Sequence, residues 1–192
     1  MALTKPAKQQ TGKQALTYRR IVVKAGTNVL TRKSPKLDQQ VMASLTEEIA
    51  EICRLGAEVV LVTSGAIAAG REAMGKAPDA KGVGLDQMLA AVGQSRLMHA
   101  YQELFAKHDI TVAQALLTRQ DVEERVGYLN VRNALQGLLD HGVVPIVNEN
   151  DVVDTAEINQ DRFGDNDTLS ALVANLVDAD LHNIAVGGKK NA

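Results

Sequence analysis

A lysine followed closely by a glycine and a threonine ends the first apolar stretch of the chain. The stretch reads IVVKAGTN over residues 21–28, so Lys24 precedes Gly26 and Thr27. Glycine lets the backbone approach a ligand closely, and a lysine beside backbone N–H groups can hold phosphate oxygens. The spacing is not that of a Walker A motif. Taken alone, the stretch fits a phosphate site or a lysine that reaches solvent beside a turn.

A second candidate site follows the apolar run at residues 59–62. The run leads through Thr63 into Ser64, Gly65 and Ala66, and then into a helix of small residues. Backbone N–H groups in the first turn of such a helix can bind an anion, and Ser64 adds a hydroxyl donor. A serine that caps the helix in front of closely packed alanines is the alternative.

Two clusters of polar residues complete the set of candidates. The segment VPIVNENDVV passes from a strand-like run into residues 148–151, which end in Asp151 and are too polar to be buried without ligands or mutual hydrogen bonds. A solvated turn is the alternative. The second cluster, GDND, comprises Gly164, Asp165, Asn166 and Asp167 and stands directly before an apolar helix. Helix capping explains one of its acids but not both.

The candidate residues must be positioned by strands and helices, and apolar runs typical of strands alternate along the chain with segments that have a helical period. Short Val- and Ile-rich runs at 21–23, 59–62, 110–115 and 143–147 are typical of strands buried on both faces of a parallel sheet. Helices are predicted from Asp38 to a stop at Gly56, from Asp86 to about residue 108, and over 129–141. This order predicts an α/β three-layer sandwich with a mainly parallel sheet, whose ligands bind at the carboxyl ends of the strands.

Composition excludes several classes of function. The net charge is −2 and there is no dense basic face, which argues against nucleic-acid and membrane-surface binding, so small polar metabolites are the expected partners. No apolar run is long enough to span a membrane. Cys53 is the single cysteine, which fits a reducing cytoplasm, and the four histidines lack the spacing of metal ligands. The basic segment 1–18 lacks the apolar core of a secretory signal and is expected to be a flexible tail, with a transit peptide as the alternative.

Six separately placed segments carry a resemblance to a known family. In the family's order and with similar spacing, they resemble the glutamate 5-kinases of the amino-acid kinase family, and the resemblance covers roughly residues 20–181. The segments are VVKAGTNVL, VTSGAIAAGRE, QMLAAVGQSRLM, QALLTRQDVEERVGYLNVRNAL, VPIVNENDVV and GDNDTLSALVA.

The resemblance implies a fold and a reaction. The expected fold is that of the amino-acid kinases, like acetylglutamate kinase. The expected reaction is the ATP-dependent phosphorylation of the side-chain carboxylate of L-glutamate, the first step of proline biosynthesis, with Mg²⁺ arriving with ATP. By the same matching, Lys24 contacts the ATP phosphates, with Gly26 and Thr27 as the backbone cradle beside it. Asp167 orients this lysine.

The resemblance also implies a substrate site, a regulator and an assembly. Ser64, Asp151 and Asn166 match the residues that hold glutamate. The family is typically inhibited by proline near the glutamate site, and its members are homo-oligomers.

The chain departs from the family at two places. The family usually has a larger aliphatic residue at Ala25 and a serine at Asn28. After residue 181 the chain reads HNIAVGGKKNA, whereas the family continues toward a second phosphate-binding lysine. We therefore expect a flexible tail over 1–18, the substrate-binding part of a kinase domain over 19–181, and a divergent tail over 182–192, truncated relative to the family. Lys189 and Lys190 as a substitute phosphate loop are an alternative to a simple tail.

Two alternatives to glutamate 5-kinase activity stay open. One is a non-catalytic module that binds glutamate or proline without the nucleotide half. The other is a kinase of the same family that acts on another acid, such as acetylglutamate or aspartate. The NEND and GDND clusters favour glutamate over these other acids.

Overall fold

The computed structural model describes residues 17–75, 82–153 and 166–185. Several predictions fall on residues outside these ranges. They concern the first sixteen residues of the N-terminal tail, Gly164 and Asp165 of the GDND motif, and the pair Lys189 and Lys190.

The described residues contain a five-stranded sheet in which every strand pair is parallel. Its strand order is β3-β4-β2-β1-β5, so β1, β2 and β4 are neighbours in the middle. The predicted α/β fold with a mainly parallel sheet is confirmed. The strands are β1 (Arg20–Ala25), β2 (Glu58–Thr63), β3 (Val112–Leu117), β4 (Val144–Glu149) and β5 (Leu181–Ala185).

Helices connect the strands and cover both faces of the sheet. They are α1 (Thr27–Thr31), α2 (Gln39–Arg54), α3 (Ala66–Met74), α4 (Val83–Ala106), α5 (Arg119–Glu123), α6 (Arg125–Asp140) and α7 (Asn166–Leu176). Among the described residues, none of these helices is long and apolar enough to cross a membrane.

Two apolar cores lie on opposite faces of the sheet, as the sandwich architecture requires. Alternate residues of β1 divide between them, because successive side chains of a strand point to opposite faces. Val23 packs in a core with residues of α2, α3 and α4, whereas Val22 packs in a core with residues of α6 and α7. The molecule therefore has three layers, with the sheet in the middle.

The sequence predicted the N-terminal capping residues of two helices, and one of these two predictions is confirmed. Asp38 caps α2 as predicted, since its carboxylate accepts hydrogen bonds from the backbone N–H groups of Gln40 and Val41. The prediction that Asp86 caps α4 is wrong, because α4 begins at Val83 and its N-cap is Gly82. Asp86 instead lies in the first turn, and its carboxylate is 3.2 Å from Nη2 of Arg71.

Other boundaries are shifted by local turns. The strand predicted at 110–115 begins two residues later, because the backbone N–H of Ile110 donates to the carbonyl of Phe105 and closes the end of α4. The helix predicted at 129–141 begins at Arg125, and the short helices α1 and α5 were not predicted. Residues 182–185, placed by the sequence in a divergent tail, lie in β5 and pair with β1.

Helices α3 and α4 cross at a distance that only glycine permits. A Cβ atom on Gly70 would lie 2.0 Å from the carbonyl oxygen of Leu89, and one on Gly93 would lie 1.8 Å from that of Ala66. Both distances are far below van der Waals contact. The crossing therefore fixes α4 directly against the first residue of α3, beside Ser64.

Candidate functional site

The predicted site residues lie where three neighbouring strands end. Because β1, β2 and β4 are parallel and adjacent, their carboxyl ends meet at one edge of the sheet. Lys24 is the fifth residue of β1, Ser64 directly follows β2, and Asp151 comes two residues after β4. Segments far apart in the chain are therefore brought to one edge, as the sequence predicted.

An ion pair joins β1 to the start of α7. The Nζ atom of Lys24 lies 2.6 Å from Oδ1 of Asp167, which is in the first turn of α7. The lysine side chain is only 12% exposed, whereas that of Asp167 is 44% exposed. The arrangement holds the ammonium group at the sheet edge in a half-buried setting, where water screens its charge less than at an open surface.

Gly26 provides the space that the lysine occupies. A Cβ atom at this position would lie 2.9 Å from Nζ of Lys24, closer than real Cβ contacts come. Gly26 is also the N-cap of α1, and its carbonyl accepts hydrogen bonds from the N–H groups of Val29 and Leu30. Thr27 begins α1 and is exposed.

Ser64 and Asn166 contact each other directly. The side-chain amide of Asn166, the first residue of α7, donates a hydrogen bond to Oγ of Ser64. The alternative that Ser64 is the N-cap of α3 is wrong: Gly65 holds that position, in a left-handed conformation with φ of 104°. The Ser64 hydroxyl is therefore not used to cap the helix, and Oδ1 of Asn166 has no hydrogen-bond partner among the described residues.

Asp151 lies in the turn that follows β4. The turn is anchored because the N–H of Asn150 donates to the carbonyl of Leu117 at 2.9 Å and that of Val153 donates to the carbonyl of Asn150 at 3.1 Å. Asp151 is partly exposed, whereas Val153 beyond it is exposed. A partly exposed carboxylate therefore lies at the same edge of the sheet as Ser64 and Lys24.

Helix α4 brings polar side chains to this edge that the sequence analysis did not single out. Gln94 accepts a 2.9 Å hydrogen bond from the amide of Asn148, and both side chains are buried. Seven residues later, the hydroxyl of Tyr101 lies 2.8 Å from Oγ1 of Thr63, the residue before Ser64. The spacing of seven in the sequence was the available signal, because it places both side chains on one face of a helix.

The buried hydroxyl of Tyr101 is part of a directional chain. Thr63 donates to the carbonyl of Ser64 at 3.2 Å, so the Tyr101 hydroxyl is the donor toward Thr63. Burial raises the pKa of Tyr101, and the Thr63 hydrogen bond opposes that rise only in part. Tyr101 therefore stays neutral and supports the backbone at Ser64.

A second network reaches Asp167 from β5. Ser170 in α7 donates to the carbonyl of Asp167 at 2.8 Å, and Nε2 of His182 lies 2.8 Å from Oγ of Ser170. Because the serine proton is used toward the carbonyl, the His182 nitrogen is the donor. His182 therefore connects β5 with the turn of α7 that carries Asp167, and sequence reasoning missed it because this segment was placed in a tail.

The side chains at the site are complementary to anionic and zwitterionic molecules. Among residues 17–75, 82–153 and 166–185, no group of three His, Cys, Asp or Glu side chains is placed to hold a metal ion. The site combines one half-buried ammonium group with hydroxyl, amide and carboxylate groups. Such a set can bind a phosphate beside Lys24 and a zwitterionic small molecule beside Ser64 and Asp151.

The fold agrees with a comparison of the sequence with known families. The sequence profile of the amino acid kinase family matches residues 19–186, which include all of β1 to β5. The chain belongs to the amino acid kinase family.

Three curated relatives that the chain resembles are named glutamate 5-kinase. The chain is 57% identical over 164 residues to the glutamate 5-kinase of Dehalococcoides mccartyi, a match that covers 85% of this chain and 44% of that protein. It is 53% identical over 166 residues to the glutamate 5-kinase of Shewanella pealeana, covering 85% and 43%. It is also 53% identical over 164 residues to that of Herpetosiphon aurantiacus, covering 85% and 44%. The chain thus spans less than half the length of these relatives.

Proposed function

We propose that this chain carries the glutamate-binding and phosphoryl-transfer part of a kinase that uses ATP to phosphorylate the side-chain carboxylate of L-glutamate. The product is L-glutamyl 5-phosphate, and the reaction is the first step of proline biosynthesis. The observation that supports this proposal best is the convergence of Lys24, Ser64, Asp151, Asn166 and Asp167 at one sheet edge, in a chain 57% identical to a glutamate 5-kinase.

Lys24 is proposed to neutralise charge on the transferred phosphoryl group. Phosphoryl transfer between two anions is accelerated mainly by positioning and by fixed positive charge, and it needs no covalent nucleophile on the protein. The ion pair with Asp167 holds the ammonium in place before substrate binds, so little reorganisation is needed during the reaction. Gly26 leaves the space beside Nζ, and we infer that its backbone and that of Thr27 face the phosphates.

Ser64, Asn166 and Asp151 are proposed to hold glutamate. Glutamate has an ammonium group that requires an anionic or carbonyl partner, which the Asp151 carboxylate provides. Its carboxylates require O–H and N–H donors, which the Ser64 hydroxyl and the Asn166 amide provide. The hydrogen bond between Ser64 and Asn166 pre-arranges these two donors, so a ligand need not order them on binding.

ATP and Mg²⁺ are the proposed cofactors. Mg²⁺ bound to ATP supplies charge neutralisation between the phosphates, and a metal brought by the nucleotide does not need an all-protein ligand cage. The residues around Lys24 fit such a complex because the ammonium and the adjacent Gly26 backbone can both approach phosphate oxygens. We further propose that the reaction is cytoplasmic, that proline competes at the glutamate site, and that the chain forms homo-oligomers.

A second candidate is a glutamate- or proline-binding protein without kinase activity. The observation that favours it is the direct contact between Ser64 and Asn166, two of the proposed glutamate ligands. All the proposed glutamate-binding residues lie within this chain, so ligand binding does not require catalysis.

Trapping of acyl phosphate with hydroxylamine separates these functions. We would compare this chain with an extended chain, in which residue 185 is joined to the part of the Dehalococcoides mccartyi enzyme beyond the match. Each protein is incubated with MgATP and either glutamate, acetylglutamate or aspartate. The extended chain should form hydroxamate with glutamate alone. Hydroxamate with another acid would contradict the substrate, and glutamate binding without hydroxamate from either protein would favour the binding protein.

A further inference from the structure

We propose that Gln94 is a substrate-binding residue, whose side-chain amide donates hydrogen bonds to the carboxylate of glutamate that is not phosphorylated. The proposal rests on the proposed function of the site and adds a residue to it. Gln94 lies in α4, and the residue is 9% exposed.

The first argument is the position of Gln94 between the two turns that carry the proposed substrate ligands. On one side, the neighbouring residue Gly93 packs against the carbonyl oxygen of Ala66, two residues after Ser64. On the other side, Gln94 is bonded to Asn148, three residues before Asp151. One turn of helix therefore contacts both the Ser64 turn and the end of β4.

A second contact shows that α4 follows the Asp151 turn. Gln87 lies seven residues before Gln94, on the same face of α4, and its Nε2 donates to the carbonyl of Val152 at 3.3 Å. The face of α4 that contains Gln94 therefore extends along the edge of the sheet where the site lies.

The second argument is the hydrogen bonding of the Gln94 amide. Its Oε1 accepts a hydrogen bond from Nδ2 of Asn148. This bond assigns the two ends of the amide, so Nε2 is the atom that points away from Asn148. This nitrogen is buried and has no hydrogen-bond partner among the described residues. A buried donor without an acceptor destabilises a fold, so such groups in proteins are commonly satisfied by a ligand or a water molecule. Nε2 offers two N–H groups, which suit a carboxylate.

The third argument concerns which carboxylate is bound. Lys24 lies on the sheet face covered by α7, where it pairs with Asp167. Gln94 belongs to α4, which covers the opposite face together with α2 and α3. A substrate whose acceptor carboxylate lies near Lys24 therefore extends its other end toward Gln94, and that end of glutamate carries the α-carboxylate.

The variant Gln94→Glu tests this assignment with the least change in shape. In this variant, the side chain at position 94 keeps an oxygen that can accept the hydrogen bond from Asn148. A second oxygen replaces the amide nitrogen and its two N–H donors. We would titrate the wild-type chain and the variant with L-glutamate by calorimetry, after confirming by circular dichroism that both are folded. The dissociation constant should rise roughly tenfold to a hundredfold, as expected for the loss of a hydrogen bond to a charged group.

The matched control is Gln136→Glu. Gln136 lies in α6, and its Oε1 accepts from Nη1 of Arg20 at the opposite end of β1 from Lys24. The same chemical change there should leave glutamate affinity unaltered. Unchanged affinity in a folded Gln94→Glu variant would overturn the role of Gln94 and leave the proposed function intact, whereas no glutamate binding by the wild-type chain would overturn both.

A measurement on the wild-type chain avoids dependence on a variant that fails to fold. The side-chain amide ¹⁵N–¹H signals of Gln94 should shift as L-glutamate is added, whereas those of Gln136 should stay in place. 4-Aminobutyrate, which lacks the α-carboxylate, should not reproduce the shift. A Gln94 signal that does not respond to glutamate at saturation, or that responds equally to 4-aminobutyrate, would contradict the assignment.

Discussion

The ammonium group of Lys24 and the carboxylate of Asp167 are 2.6 Å apart, although they belong to the first strand and the last helix of the described residues. The contact joins the end of β1 to the first turn of α7. It makes the position of Lys24 depend on α7, and it leads to the first prediction.

Lys24→Ala should abolish most of the activity of the extended chain. The substitution removes the charge proposed to stabilise the transferred phosphoryl group, and loss of one such fixed contact typically slows a reaction by about a hundredfold or more. Hydroxamate formation measures the rate. Lys36→Ala is the control, because Lys36 is an exposed lysine 3.7 Å from Glu72 and should be dispensable. Activity that survives Lys24→Ala would remove Lys24 from the mechanism.

Gly26→Ala should impair catalysis with little effect on stability. The added methyl group would lie 2.9 Å from Nζ of Lys24, and the flexible end of the lysine must move away from its present position. The backbone itself is not strained, because φ of Gly26 is −78°. We expect a lower kcat and a higher KM for ATP in the extended chain, with a nearly unchanged Tm.

Gly56→Ala should show the opposite pattern. Gly56 has φ of 102°, and a Cβ atom there would meet no atom within 4 Å. The substitution therefore destabilises the fold only through the backbone conformation, by about 1 kcal/mol. Its Tm should fall while the kinetic constants stay unchanged. Equal effects of the two substitutions on kcat would show that Gly26 has no special relation to Lys24.

Gly93→Ala should destabilise the fold strongly. Its Cβ would lie 1.8 Å from a backbone oxygen, which cannot move without separating α3 from α4, and overpacking of this kind costs about 3 kcal/mol. Gly137→Ala in α6 is the matched control, since a Cβ there meets nothing within 4 Å. That change should stabilise the helix by about 0.5–1 kcal/mol. Urea unfolding of both variants measures the difference, and equal stability would contradict the close crossing.

The thiol of Cys53 should react slowly at ordinary pH. Burial raises its pKa from 9.0 to about 11, so the reactive thiolate is scarce in the folded chain. Alkylation by iodoacetamide should accelerate only as pH approaches 11. Because the folded-state pKa is the higher one, the stabilisation from the protonated thiol is complete below pH 9 and is lost as pH rises from 9 toward 11. Rapid alkylation of the folded chain at pH 8 would contradict the raised pKa of the partly buried Cys53 thiol.

The sequence predicted four of the five strands, and it predicted the edge of the sheet at which the candidate site residues lie, because both depend on local patterns. Apolar runs that end in Lys24, Ser64 and the residues before Asp151 indicate parallel strands, and parallel strands bring their carboxyl ends together. The cap at Asp38 was predictable for the same reason, because a capping side chain contacts only the first turn of the helix that follows it.

Contacts between distant segments were not predictable in this way. Asp86 has the side chain of a helix cap, yet Gly82, four residues earlier, is the N-cap of α4, and Arg71 of α3 pairs with Asp86. The position of Gln94 depends on Gly93 allowing α4 to contact Ala66. His182 was missed because its role requires Ser170 of α7. Each of these depends on tertiary packing, which a pattern within one segment does not reveal.

The most direct test of the proposed site is calorimetric titration of the chain with L-glutamate, comparing wild type with Asp151→Ala. The account predicts saturable binding by the wild type. Loss of the carboxylate that pairs with the ligand's ammonium should weaken binding by about 2 kcal/mol, or about thirtyfold in the dissociation constant. Asp140→Ala, at the end of α6, should bind as the wild type does. An Asp151→Ala variant that is folded and binds glutamate with unchanged affinity would contradict the account.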